Sequence, residues 1–460
     1  MATRWLIATG NVSDATKWDG GVAVPGVGDT CVANGFTGTI DVNFTVVEIR
    51  TLTLGGGASG GGWTLANGIT LTANCLAGTT TCLTVSTGDS AIIGNCTGSA
   101  ATSAIRAVTK STTGTLTITG NCSGGAVGTA HGVLLSSSAT GLVVNGNLVG
   151  GAGTACGVSS TADAANGTIT ITGTVTGGTG TAASGLTVSG ASQDIIINGN
   201  VTGGSGGSDG VLLSGSASGV AAYALVINGS VTGGTHATSY GVNSSLPCSV
   251  GSTVTGGLLG SGINAASLSL LLIGGAITGG TGSGSCGVVI GGSTAVTINS
   301  NVTGGSATLT HGVSGNGTIV VVGDVAGGSS TGAGINHTAT TNSVTITGGV
   351  NATPTANGTL IASTGAISIT GTCTAANGFS AVRSTSSARI NLNGSQVGNA
   401  TSGHPGVQCL GVFCVGASGT QSAQYATDGG GGSVGALRTL TTASGSGGMI
   451  GGGNLNGGFQ

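Results

Sequence analysis

Charge and aromatic rings are both nearly missing from this chain: 4% of its 460 residues are charged and 2% are aromatic. A disordered polypeptide stays in solution through charge and has few apolar residues. Here 38% of residues are apolar and the mean hydropathy is positive, so the chain must fold or aggregate. No Lys or Arg occurs from Ser111 to Val382, which leaves the central body nothing with which to neutralise phosphates. Nucleic acid is therefore not an expected partner. Proline occurs four times and glycine 99 times without a three-residue period, which excludes collagen. The longest strongly apolar run, 268–273, is far below the roughly 20 residues needed to cross a bilayer, and no membrane span is expected. The short apolar stretch from Trp5 to Ala8 is not a secretory core, so synthesis in a cytoplasm is expected. Good helix formers in a helical rhythm are also lacking, and Gly, Thr, Ser, Val and Asn dominate instead.

Cysteine is present but not in a disulfide or zinc pattern. The eleven cysteines are odd in number and include no Cys-x-x-Cys. Cys75 with Cys82, and Cys409 with Cys414, are close enough in sequence to bridge. Other cysteines take the positions of hydrophobes in a repeat.

That repeat is the strongest signal in the sequence. An apolar residue followed by a short Thr/Gly-rich step returns thirteen times between Cys96 and Val397, always after one similar length of chain. Its clearest copies begin at Val175, Val201, Val231, Val254, Ile277 and Val302; worn copies begin at Cys96, Cys122, Leu148, Val325, Val350, Cys373 and Val397. A period of about 25 residues fits one coil of a stacked β-structure. Such an array grows by adding coils to a single core, so its length does not imply several globular domains.

Within each coil a strand alternates inward and outward residues, as in Ile169-Thr170-Ile171-Thr172 or Val344-Thr345-Ile346-Thr347. Gly, often with Asn, turns the corner at Gly120-Asn121, Gly146-Asn147 and Gly199-Asn200. The apolar anchor follows, then Gly-Gly and a variable loop. A second short strand opens at Gly132-Val133, Gly157-Val158, Gly210-Val211, Gly241-Val242, Gly287-Val288, Gly312-Val313 and Gly334-Ile335. Cys96, Cys122 and Cys373 occupy the anchor slot, and Cys156 and Cys286 share a slot just before Gly-Val. The expected fold is all-β: a single-stranded parallel β-helix of about thirteen coils over 64–402. An N-terminal entry cap over 1–63 and a C-terminal cap with a Gly-rich tail over 403–460 complete the expected organisation.

Trp18-Asp19-Gly20-Gly21, Val24-Pro25-Gly26-Val27-Gly28-Asp29 and Thr39-Ile40-Asp41-Val42 form an opening that resembles those of phage and bacterial surface β-helix proteins. With the repeat style, the whole resembles phage virion proteins of this fold: tail fibres and spikes, and capsid decoration proteins. The resemblance implies a non-enzymatic structural subunit, a homotrimer attached to other virion proteins, assembled in the host cytoplasm and exposed on the particle. A glycan-depolymerising or receptor-binding tailspike, touching host surface glycan, is the rival reading, and a bacterial surface adhesin is another.

The chemical inventory favours no reaction. There are ten Asp and one Glu, Glu48, and between Ser111 and Val382 only Asp163, Asp194, Asp209 and Asp324 remain. Asp194 and Asp209 are the pair nearest in sequence, read as solvated loop carboxylates rather than a glycosidase pair. Tyr223 and Tyr240 are the only aromatics between Thr64 and Gly378, too few for a sugar-stacking face. His131 and His311 both precede Gly-Val but lie coils apart, so they read as polar corner residues and not as metal ligands. Gly55 to Gly62 lacks the Lys of a phosphate loop. A water-ordering face of Thr-x-Thr rows would start from Thr115, Thr117, Thr170 and Thr172, but Ile195 to Asn198 and Leu225 to Asn228 interrupt it. No catalytic, cofactor-binding or metal-binding residue is assigned.

Overall fold

The structure is a computed structural model. It describes residues 2–52, 62–77, 83–85, 88–98, 108–110, 113–126, 128–135, 140–160, 168–189, 194–206, 208–214, 225–236, 238–265, 271–291, 295–328, 332–338, 342–351, 359–361 and 367–374. Beyond these it describes the strand segments 382–384, 390–392, 396–397, 407–408, 413–415, 425–426 and 448–450. The chain is all-β, with parallel strands that form a β-solenoid of about 11 turns. Among the described residues the single helical element is a 3-10 turn, Ala15–Lys17, capped by Asp14. Two compact units divide the chain, Met1–Ser239 and Tyr240–Gln460.

In the first unit each turn from Ser90 onward contributes three strands, and each strand pairs in parallel with its counterpart one turn on. Gly114–Thr119 lies between Ser90–Ile93 and Thr140–Asn145. The two-residue anchor strand Cys122–Ser123 lies between Cys96–Thr97 and Leu148–Val149. Val133–Leu135 lies between Val108–Lys110 and Val158–Ser160. The alternation in sequence becomes burial. Leu116, Ile118, Ile169 and Ile171 are fully buried, while Thr115, Thr117 and Thr170 between and beside them lie partly open. One rung cannot shield its own apolar face, so its inward side chains gain their burial, about 1.5–3 kcal/mol for a Val, Leu or Ile, only when the next rung closes over them.

The parallel pairing begins well before the first anchor phrase. Thr3–Leu6 pairs with Thr30–Asn34, and that strand with Phe44–Leu52; Gly10–Asn11, Thr37–Ile40 and Gly62–Leu65 form a second row. Two rings fill these turns. Trp18 and Trp63 are buried and stacked, with centroids 6.0 Å apart, and their indole N–H groups donate to the carbonyls of Val12 and Arg50. Gly38 forms the floor under Trp63, where a Cβ would strike the indole.

Glycine sets how closely rungs approach. After each anchor the paired glycines stack so tightly that a Cβ on Gly178 would run into the Gly151 carbonyl, and one on Gly151 into that of Gly125. At the corner, Gly120 adopts φ +146° over the Gly94 carbonyl, a position open only to a residue without a side chain.

The second unit repeats the plan. Val254, Ile277, Val302, Val325, Val350 and Cys373 follow one another in register and are all buried. The last anchor differs from the sequence expectation. Cys373 pairs with Gln396, and Val397 pairs with Thr374, so Val397 lies one position past the slot. Pairing also continues beyond Gly403: Ile390–Leu392 meets Phe413–Val415, and Val382–Ser384 meets Val407–Gln408. Gly448–Ile450 then joins Phe413–Val415 in antiparallel fashion. The glycine run 429–432 and the tail from 451 lie outside the described residues.

Candidate functional site

The residues with the most chemistry on the solenoid sit just before Gly-Val, and the fold uses them as hydrogen-bond acceptors. His131 Nδ1 takes the backbone N–H of Cys156, one rung on, at 3.0 Å. The Cys156 sulfur in turn takes the N–H of Ser184. In the second unit Ser261 Oγ takes the N–H of Cys286 at 3.0 Å, the Cys286 sulfur takes that of His311, and His311 Nδ1 takes that of Ala333 at 3.0 Å. Each side chain satisfies a buried donor that strand pairing does not reach. His, Cys and Ser interchange in this slot because each presents a lone pair at similar reach.

Electrostatics follow from this burial. Desolvation raises the thiols of Cys156 and Cys286 above the usual range, against the lowering effect of the groups that hydrogen-bond them. Burial holds His311 below an ordinary histidine. His337 is wholly enclosed, its Nε2 2.9 Å from the Gly317 carbonyl and its Nδ1 without a hydrogen-bond partner among the described residues. Desolvation lowers its pKa as well. It shares a column with Gly315 and Ile361.

A second ladder runs along the corners. Asn74 Oδ1 accepts the N–H of Asn95, Asn95 that of Asn121, Asn121 that of Asn147, and Asn147 that of Thr174, at 2.8 to 3.0 Å. In the second unit Asn301 serves Asp324 and Asp324 serves Gly349. The sequence suggests Asn here for its tolerance of turns; the structure gives it the further task of bridging rungs. The Asn that recurs immediately before the anchor, at Asn95, Asn121 and Asn147, carries that signal.

The anchor column holds more cysteines than the repeat phrase reveals. Cys31, Ile49, Cys75, Cys96, Cys122 and Leu148 follow in register, and all are buried. Cys96 hydrogen-bonds both Cys122 and Cys75. Burial pushes the thiols of Cys31 and Cys248 up to about 12. Cys82 and Cys409 lie outside the described residues, and so do the two bridges considered from sequence.

The other candidates are dispersed. Asp194 is exposed at the start of its strand, whereas Asp209 is buried in the slot before Gly210-Val211, so the two belong to different rows of the solenoid. Tyr240 takes the corresponding slot before Gly241-Val242, and Tyr223 and Asp163 lie outside the described residues. His131 and His311 belong to different units. The outward column of the long strands reads Thr117, Val143, Thr170, Ile196 and Val226, which breaks the Thr row. Among the described residues no group of three or more His, Cys, Asp or Glu is placed to hold a metal ion, and no helix is long and apolar enough to cross a membrane. No protein-family model, curated protein or solved structure matches the chain.

Proposed function

We propose that this chain is a non-enzymatic structural subunit of a bacteriophage particle, a β-helical decoration or fibre protein on the virion surface. The observation that carries the reading is the use made of its reactive side chains. His131, Cys156, Ser261, Cys286 and His311 each accept a backbone N–H from the next rung, so the residue types that would serve an enzyme bind the scaffold to itself. The entry segment, in which Asp29 takes the N–H groups of Ala2 and Gly26 and Asp19 that of Trp5, supports the same reading through its resemblance to virion β-helix proteins.

On this proposal the solenoid has thirteen coils over 64–402, closed by an entry cap over 1–63 and by a C-terminal cap and tail over 403–460. Three copies associate side by side through surfaces of low charge, and the trimer attaches to other capsid or tail proteins after assembly in the host cytoplasm. The experiment is peptide mass spectrometry of purified particles, joined to imaging of their surface. The proposal expects this chain in fixed, multiple copies on the particle; its absence from purified particles, or a purified chain that depolymerises host surface glycan, would overturn it.

A further inference from the structure

We propose that Cys75, Cys96 and Cys122 form a redox-convertible staple, in which oxidation joins Cys96 to one neighbour across adjacent rungs. The three residues are direct register partners, Cys75 with Cys96 and Cys96 with Cys122, and their side chains are 0 to 1% exposed. Adjacent rungs are separated by about 4.8 Å, inside the Cα separation of about 4.4–6.8 Å that a disulfide spans. Two rungs amount to about 9.6 Å, so Cys75 and Cys122 are out of each other's reach. Cys96 is the obligatory partner in either bond.

The surroundings restrict what else these sulfurs do. Ile49 lies in register on one side of the column and Leu148 on the other, so the stack is enclosed between aliphatic side chains. Cys96 is also the central sulfur, the one with a register partner thiol on either side. Hydrogen bonds from Cys122 and Cys75 hold its pKa well below the usual thiol range, in opposition to burial. Hydrogen peroxide, a diffusible two-electron oxidant little larger than water, completes the chemistry. The Cys96 thiolate attacks one peroxide oxygen, the O–O bond breaks, and hydroxide leaves and takes up the thiol proton as water. The sulfur of Cys75 or Cys122 then attacks the resulting sulfenic sulfur. The S–O bond breaks and its oxygen leaves as a second water with the attacking thiol's proton. Two thiols lose two electrons and two protons, and one peroxide becomes two waters.

The test uses the full chain, folded and reduced, treated with hydrogen peroxide, then denatured, alkylated and mapped by peptide mass spectrometry. The expected result is the loss of two alkylatable thiols among the three, a mass decrease of about 2 Da, and a bond from Cys96 to Cys75 or Cys122 that dithiothreitol reverses. Cys96→Val should abolish the bond, while Cys75→Val and Cys122→Leu should each keep it with the remaining partner. Val and Leu already fill this column at Val175 and Leu148, so these variants preserve the packing, and circular dichroism checks that each is folded. Three intact thiols in the treated protein, irreversible oxidation of Cys96 without a bond, or a Cys75–Cys122 bond in folded Cys96→Val would overturn the proposal.

Discussion

Asn121 Oδ1 accepts the backbone N–H of Asn147, its counterpart one rung on, at 2.8 Å. Strand pairing leaves this corner donor unserved, and the side chain one turn earlier supplies the acceptor. Removing the acceptor in Asn121→Ala should cost about 1 kcal/mol. Asn121→Asp should be better tolerated, because Asp324 performs the same task for Gly349 at 2.7 Å. Urea denaturation of the two variants beside the parent measures the difference, and equal midpoints for Asn121→Ala and the parent would contradict it.

The stacked glycines make a harsher prediction. In Gly178→Ala the new methyl meets the backbone carbonyl of Gly151, which no side-chain rotation relieves, so the rungs must part. The expected cost is about 3 kcal/mol or more. Gly26→Ala, with nothing within 4 Å of the added atom, should change stability by no more than about 0.5 kcal/mol. Thermal melts of the two proteins separate a steric requirement from a general preference for glycine.

Acid should weaken the second unit. Burial lowers the pKa of both His311 and His337 in the fold, so below about pH 6.5 the unfolded chain binds more protons than the folded one. Their stabilising contribution is thus complete above that pH and is lost as pH falls through the lowered folded values. Protonation of His311 would place a proton on the nitrogen that receives the Ala333 N–H. His311→Ser, which substitutes the residue type found at Ser261, and His337→Leu should each flatten the fall in urea midpoint between pH 8 and pH 5. An unchanged pH profile in both variants would remove the histidines from the account. Asp29 is held below the usual carboxylate range by the N–H groups of Gly26 and Ala2, so it acts in the same direction but only below about pH 4.

The paired indoles fill the first turns. Trp63→Ala should cost about 3–5 kcal/mol, because the ring is buried between Trp18 and Gly38. Trp63→Phe should recover much of this loss while giving up the hydrogen bond to the Arg50 carbonyl. Denaturation followed by circular dichroism measures both.

What the sequence reveals and what it conceals divide along physical lines. Val175, Val201 and Val231 are legible because an inward apolar residue followed by Thr-Gly-Gly recurs with each turn. Cys96, Cys122 and Cys373 are legible as their substitutes and are buried in register with their neighbours. Cys31, Ile49 and Cys75 belong to the same column but lack the phrase, and the chain between register partners is shorter there, from Cys31 to Ile49 and from Cys75 to Cys96, than between later anchors. The corner between strands is smoothed away in those turns, so Thr70–Leu76 serves as long strand and anchor together. The slot before Gly-Val is visible as a position but not as a function. His131, Cys156 and Ser261 share only an electron pair directed at the next rung, a likeness that residue names do not display. Val397 misleads because an apolar residue beside Gly looks like an anchor from either side of the slot.

Methyl NOE spectroscopy of the isotope-labelled chain tests the stacking directly. Leu148, Val175, Val201 and Val231 are successive register partners in the first unit, and all are buried. The account predicts a chain of contacts from Leu148 to Val175, Val175 to Val201 and Val201 to Val231, with none between Leu148 and Val201 or between Val175 and Val231, which stand about 9.6 Å apart. Contacts that skip a turn, or that join neighbouring strands as antiparallel hairpins, would contradict it.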